Sequence, residues 1–556
     1  MSGASIQIAA KGQTNIYLSG KPEITFFKAV YKRHTNFSIE CIPQYFSTIP
    51  NFGTKVSCTL SNIGDMISRG YLLVNLPSIS QFYNSKNELD EYIKVAWAKN
   101  IGYRLIKNIE LDIGNKIIDT HYGEWLYIWS QLNVTGNQIG HDKMTGFDEK
   151  LYSFTKTKDS YQLYIPLQFW FCKSYGLALP LVSLKYSDVR INIEFSSLDE
   201  CLTTGPTHKL KIDDNIVPYN EGDILIQKGK DRDIIGIFID YDFINKELLY
   251  LKVQDEFTGK ALNGTIYKIK NLLSDFEVTP KSDNISETYV INFSTEINIK
   301  SAYLLFDYVL LDNEERSQFY NNKLTYIIEQ LQFNGEKTIN NSNYTCNLNF
   351  FNPVKSIYWI AQFANYESSK LNAWNYYKAN LSMEYLRFNK FRLNQKLVDP
   401  LCITSKTNDP CNIYKTDSAR ANWNQVDYIA IKNLIKFKDL SDYFSDEKQF
   451  IIKSAKILLN GQEKVQEFPY QYFTYLQNYK YNKRSIDNHI FSYNFGLKTD
   501  LDPRGSMNFS KIDHATLDLR LAQHVSYFNP VKFRLYALNY NVLIIEEGIS
   551  ELKFKN

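Results

Sequence analysis

Apolar and polar residues alternate through Leu105-Ile106-Lys107-Asn108-Ile109-Glu110-Leu111-Asp112-Ile113, break at Gly114-Asn115, and resume at Lys116-Ile117-Ile118-Asp119. A period of two places one row of side chains on one sheet face, and a Gly-Asn break suits a tight turn. The stretch therefore predicts a hairpin with one buried face. Residues 452–465 have the same shape, with Asn460-Gly461 at the turn. Val189-Arg190-Ile191-Asn192-Ile193-Glu194-Phe195 and Ala515-Thr516-Leu517-Asp518-Leu519-Arg520-Leu521 alternate likewise, each after its own hairpin. Each half then closes on a mostly apolar strand, at 302–311 and at 533–543. Because the order is the same in both halves, the chain is expected to be a tandem duplication of a β-domain. Each copy would be a sandwich of about eight strands joined by long loops.

Helix signals divide the copies. Asp312, with Glu315 three residues later, has the acceptor and reaching carboxylate of a variant capping box, so a short helix should open the second copy. A matching helix is expected at Pro22-Glu23, with Phe26, Phe27, Val30 and Tyr31 on one face and Lys32, Arg33 and His34 near its negative end. The expected organisation is an arm over 1–21, a first copy over 22–312 and a second over 313–556. The first copy also has a surplus: its last two strands, after Phe195 and before Ala302, are separated by far more chain than Leu521 is from Phe533. Short apolar runs at 222–226, 235–240, 248–253 and 264–269 predict a small β-module mounted on that loop, over about 200–298. Residues 341–349 and 389–449 read as polar, irregular loops.

Composition narrows the function. Lys+Arg 63 against Asp+Glu 60 leaves a formal charge of +3, which gives no global reason to bind a polyanion. Tyr 41 and Phe 35 fit strands and large contact surfaces. The seven cysteines show no C-x-x-C spacing, so reduced thiols are expected rather than a zinc ribbon or a disulfide scaffold. The first residues lack the charged head and apolar core of a secretory signal, and no run is long and apolar enough to span a membrane.

Several strings are similar to those of one family. They are the stretch 16–38 with Gly20-Lys21-Pro22-Glu23-Ile24-Thr25-Phe26-Phe27, then Tyr122-Gly123-Glu124-Trp125, Leu163-Tyr164-Ile165-Pro166-Leu167-Gln168-Phe169-Trp170 and Gly176-Leu177-Ala178-Leu179-Pro180-Leu181. In the second half they are Leu459-Asn460-Gly461, Gly505-Ser506-Met507-Asn508-Phe509-Ser510 and Ala537-Leu538-Asn539-Tyr540-Asn541-Val542-Leu543. In order and nearly end to end, the chain resembles the major capsid proteins of nucleocytoplasmic large DNA viruses. That resemblance implies an all-β double jelly roll, with short helices and the β-rich insertion in a loop of the first roll. It further implies homotrimers of near-hexagonal outline that tile an icosahedral shell, assembled in the host cytoplasm. Minor capsid proteins, and an inner membrane beneath the shell, would be the other partners.

Enzymatic signatures are sparse. His121 and Glu124 are close in sequence, but a structural hydrogen bond explains such a pair as well as acid–base chemistry does. The seven histidines form no close metal pair, no cofactor motif appears, and no catalytic residues, metal or cofactor are expected. Of the Asn-x-Ser/Thr sequons, Asn263 and Asn284 lie in the insertion and are the candidate glycan carriers. Lys28, Lys32 and Arg33 are candidate contacts for the inner face of the shell, with a solvated helix end as the alternative. Two rival functions remain at this point. One is a minor capsid paralogue or assembly scaffold of the same fold; the other is a carbohydrate-binding or hydrolytic β-sandwich.

Overall fold

The computed structural model describes residues 7–10, a few positions between 21 and 29, and 33–554. Within the last range it omits 81, 84–89, 215–216, 218, 220–222, 231–233, 263, 272–275, 290, 294–295, 365–373, 376, 378–449, 485–488, 498–502, 523–524 and 526–529. The first roll consists of β1 (Phe37–Gln44), β2 (Lys55–Thr59), β3 (Met66–Leu76), β4 (Ile106–Ile113), β5 (Lys116–Tyr122), β6 (Tyr161–Pro166), β7 (Val189–Phe195) and β8 (Ser301–Leu311). The second repeats it as β9 (Leu324–Ile339), β10 (Asn343–Asn347), β11 (Pro353–Phe363), β12 (Ile452–Leu459), β13 (Gln462–Pro469), β14 (Phe491–Asn494), β15 (Ala515–Leu521) and β16 (Val531–Glu546).

Sheet order exposes the duplication. The first roll pairs β1-β8-β3-β6 in one sheet and β2-β7-β4-β5 in the other; the second pairs β9-β16-β11-β14 and β10-β15-β12-β13. Each strand therefore has its counterpart eight places on, in the same position of the same sheet. This is a double jelly roll, built by alternation: Val189, Ile191, Ile193 and Phe195 are buried while the residues between them are half-buried. Each such apolar side chain contributes about 1.5–3 kcal/mol when fully buried. Both hairpins turn through residues of positive φ, Gly114 (61°) with Asn115 (62°) and Asn460 (49°) with Gly461 (81°). That is the mirror-image turn whose twist matches the strands.

The insertion folds as a seven-stranded sheet that draws on Ile224–Gln227, Ile234–Asp242 and Glu247–Gln254. It has a core of its own, including Leu225, Phe238, Leu248, Tyr250 and Phe257. The strand expected at 264–269 is displaced: Thr265 makes only an isolated bridge to Leu262, and pairing resumes at Ile269–Asn271.

Three further expectations are corrected. Residues 341–349 are not an irregular loop, because Asn343–Asn347 pair with β15 as an edge strand. Only Cys346 of that strand is fully buried, and with half-buried Tyr344 as its sole neighbour on the inner face it left almost no apolar signal. The described residues between 21 and 29 are not helical, and Phe27 is 98% exposed. A short amphipathic helix takes most of its stability from packing its apolar face, and Phe27, the described residue of that face, has no cover. The helix at the start of the second roll does form, as α2 (Asn313–Asn321), and Asp312 Oδ1 accepts from Glu315 N at 3.0 Å. The reciprocal half of the capping box is absent, since Glu315 Oε2 is buried without a partner. The loop expected at 389–449 lies outside the described residues.

Candidate assembly surfaces

For a chain whose chemistry is packing, the candidate site is the set of surfaces that join rolls. One such surface is internal. After β5 the chain turns into α1 (Gly123–Asn133) so tightly that a Cβ on Gly123 would stand 2.1 Å from Tyr103 O and 2.2 Å from Ile106 O. Only glycine fits there, and the next residue, Glu124, is thereby aimed at the second roll. Its carboxylate accepts from Arg534 Nη1 at 2.9 Å and Tyr536 OH at 2.8 Å, both on β16. Arg534 is shared with Glu336, at 2.6 Å from Nη2, and Lys532 adds a contact to Glu336 at 2.9 Å. Burial, together with the neighbouring Glu124 carboxylate, holds the Tyr536 phenol well above its ordinary pKa and keeps it a neutral donor.

A second ion cluster lies beside it. Glu329 on β9 is bonded to Lys173 Nζ at 2.7 Å and to the buried Lys355 Nζ. Burial pushes the Glu329 carboxyl up, but the two ammonium groups outweigh it and leave the pKa below the ordinary value. Backbone contacts align the strands. Gln330 Nε2 donates to Ile118 O, and Leu331 N donates to Asp119 Oδ1 at 2.9 Å. Aromatic rings fill the remainder, with Tyr122 and Phe333 centroids 5.0 Å apart. The seam between rolls is thus the edge of β9 laid against β5.

His121 and Glu124, neighbours in sequence, do not meet. His121 Nε2 is 3.0 Å from Asp119 Oδ2 and its ring stacks on Phe169, while Glu124 serves the seam. Among the described residues no group of three or more His, Cys, Asp or Glu is placed to hold a metal ion.

The molecule has two unlike ends. β1 starts opposite the end of β8, with Phe37 paired to Leu311, whereas the insertion returns to the sheet at Ser301. The eleven residues of β8 span about 35 Å at strand rise. Lys28 and Arg33, both exposed, therefore lead in at the end opposite the insertion; Lys32 lies outside the described residues. At this short-turn end the second roll sits alongside, with Tyr186 N donating to Gly548 O at 3.0 Å. Asn284 is half-buried in the insertion, and its sequon hydroxyl, on Ser286, is already bonded to Phe257 O and Tyr250 OH. Asn263 lies outside the described residues.

Two family models cover most of the chain. The one described as the major capsid protein N-terminus matches residues 25–245, and the large eukaryotic DNA virus major capsid protein matches 315–550. Probable capsid protein 4 of Acanthamoeba polyphaga mimivirus is 36% identical over the full length of both chains. The chain belongs to the major capsid protein family of large eukaryotic DNA viruses. The major capsid protein of Phaeocystis pouchetii virus, another relative in this family, is 28% identical, again over all of both chains. Among solved structures, the Faustovirus major capsid protein aligns with TM-score 0.60 at 12% identity, over 96% of this chain and 94% of that one. A quasi-atomic model of the PBCV-1 virus capsid gives 0.56 at 21%, over 96% and 100%. These share the double jelly roll. As a member of this capsid family, the protein is a structural component of the virion.

The surfaces were only partly legible in sequence. Tyr122-Gly123-Glu124 was singled out as a string, but nothing local linked Glu124 to Arg534. Glu329 and Lys355 belong to no motif in the sequence; a charged residue inside a mostly apolar strand, as Lys355 is in β11, is their local signal.

Proposed function

We propose that the chain trimerises into capsomers of near-hexagonal outline that tile the icosahedral outer shell of a large DNA virus. The observation that carries this reading is the duplication itself. Three chains, each with two rolls of identical strand order, present six similar edges. Heterologous contacts of one kind can then close a ring, and contacts between rings can extend a facet. The division into an arm, a first roll to 312 with its insert at about 200–298, and a second roll from 313 is part of the same proposal. The two unlike ends support an orientation with the insertion outward, which would put the sequons of Asn263 and Asn284 in the outer layer of the shell. The arm, with Lys28, Lys32 and Arg33, would then face minor capsid proteins and a membrane beneath the shell. Assembly would take place in the host cytoplasm.

Mass photometry and negative-stain microscopy of the purified protein test the reading. The expected particle has three times the chain mass and a six-lobed outline; a monomer at tens of micromolar would overturn it. A second reading, a less abundant shell paralogue, is favoured by one observation. Three mimivirus relatives, named capsid protein 1 and probable capsid proteins 3 and 4, show that one virus carries several such chains. Quantitative proteomics of purified virions separates the two, because the major protein must be the most abundant shell component.

A further inference from the structure

Among the described residues, two consecutive large apolar side chains are both exposed at one place only, Phe243 at 72% and Ile244 at 89%. They open the four-residue loop Phe243-Ile244-Asn245-Lys246, which joins Ile234–Asp242 to Glu247–Gln254 in the insertion. Single exposed apolar residues are ordinary on a protein surface. An adjacent pair at the tip of a hairpin is a local concentration of unburied apolar area.

The loop is held in one shape. Asp242, itself buried, accepts at Oδ1 from Ile244 N at 2.9 Å and Asn245 N at 3.1 Å, and at Oδ2 from Asn245 Nδ2 at 2.7 Å. The Phe243 ring stands edge-on to that of buried Tyr241, 4.8 Å between centroids, and Tyr241 OH donates to Asp214 O at 3.1 Å. The two apolar side chains are thus presented to solvent with little left to order on binding.

The direction of the strands says where the loop points. The chain leaves the first roll after Leu202–Gly205, which pair with residues 94–97, and enters the insertion sheet on His208–Lys211. His208–Lys211 and Ile234–Asp242 both run antiparallel to Glu247–Gln254, so they run the same way, and Ile212 N donates to Lys246 O at 3.0 Å. The loop therefore lies on the side toward which the chain leaves the roll.

Charge at the tip is sparse. The acids at its base are engaged: Asp240 with Lys94 at 3.1 Å, Glu247 with Lys209 at 3.2 Å, and Asp242 with the loop itself. Lys246 is exposed and has no ion-pair partner among the described residues. The tip consists of two projecting apolar side chains with one free ammonium two residues on. We propose that this loop binds the interfacial layer of a phospholipid bilayer, with Phe243 and Ile244 entering at the acyl boundary and Lys246 on a headgroup phosphate. Binding at such an interface grows with the apolar area buried and with charge attraction to the headgroups, and a lysine stem lets the ammonium stay at headgroup depth. Shape favours lipid over a folded partner. At these exposures neither side chain is walled, so the tip is convex and offers a protein no groove, whereas an acyl boundary accepts any apolar projection. With the insertion outward, the contact is on the outside of the shell, at the end opposite the arm. It rests on the trimer reading only for its valency, three tips on one capsomer, which strengthens retention without any new contact.

Flotation of the purified full chain with vesicles tests the proposal. Wild type should float with phosphatidylcholine vesicles. F243S/I244S should lower the partition coefficient at least about tenfold, and K246Q about fivefold. Circular dichroism of each variant checks that the fold is kept, as expected for changes to exposed side chains. Replacing about one lipid in five by phosphatidylserine should change wild-type binding by less than about tenfold, because each loop carries one free cation. Wild type that fails to float, that floats only with phosphatidylserine, or that floats equally well after F243S/I244S overturns the proposal. Mass photometry of the same samples reads the oligomer separately. F243S/I244S should remain trimeric, and loss of the trimer in that variant would reassign the loop to a contact between copies. A wild-type monomer that floats, and loses flotation with F243S/I244S, would remove the trimer reading and leave the lipid contact standing.

Discussion

Replacing Glu329 by alanine should be among the most damaging single changes to the rolls' mutual packing. Glu329 is 7% exposed and Lys355 is 1% exposed, so removing the carboxylate takes the counter-charge away from a buried ammonium group. Lys173, its other partner, retains the face of Trp129, 4.6 Å away, and Lys355 that of Tyr540, 5.7 Å away. Breaking one side of a buried pair typically costs about 3–5 kcal/mol, while replacing both partners by apolar residues of similar volume is often close to neutral. The expectation is therefore a loss of about 3–5 kcal/mol for E329A and recovery of most of it in the E329L/K355M double variant. Equilibrium urea unfolding followed by tryptophan fluorescence suits the question, because Trp125 and Trp129 lie at the seam, Trp125 with its ring 5.3 Å from that of Tyr358. A cost below about 1 kcal/mol for E329A, or a double variant as unstable as the sum of the singles, would refute the reasoning.

Acid should act on the same seam. The carboxyls of Glu329 and Glu336 have folded pKa values below the ordinary 4.5, so their contribution is complete above about pH 4.5 and is lost as pH falls through the lowered folded values. Urea midpoints should therefore be flat from pH 7 to 5 and drop below pH 4, and E329A should flatten part of that drop. G123A should fail to fold or lose more than about 3 kcal/mol, because its methyl would meet two backbone carbonyls rather than a yielding side chain; soluble yield and thermal unfolding report this. F257A, at a fully buried position of the insertion core, should cost about 3–5 kcal/mol locally. Hydrogen exchange should then rise across the insertion sheet and stay unchanged in β3 and β8.

Alternation and turn residues were enough to fix the secondary structure where one sheet face is buried and the other is not. That is why both Asn/Gly hairpins, β7, β15 and the closing strands were readable, and why their repetition revealed two copies of one plan. Three of the insertion's strands were readable for the same reason, whereas the one expected at 264–269 was not, since pairing begins only at Ile269. Local pattern fails where stability comes from elsewhere in the chain. Residues 343–347 are a strand because β15 offers its edge, and the described residues between 21 and 29 are not helical, with Phe27 uncovered. The seam is the extreme case. Glu124 meets Arg534, and Lys173 meets Glu329, across separations that no sequence period spans. The sequence determined that there would be two similar sandwiches, since burial on one face imposes its period wherever it occurs. Only the tertiary structure decided which edge of one covers which edge of the other, because a buried charge is satisfied by whichever opposite charge the packing brings within about 3 Å.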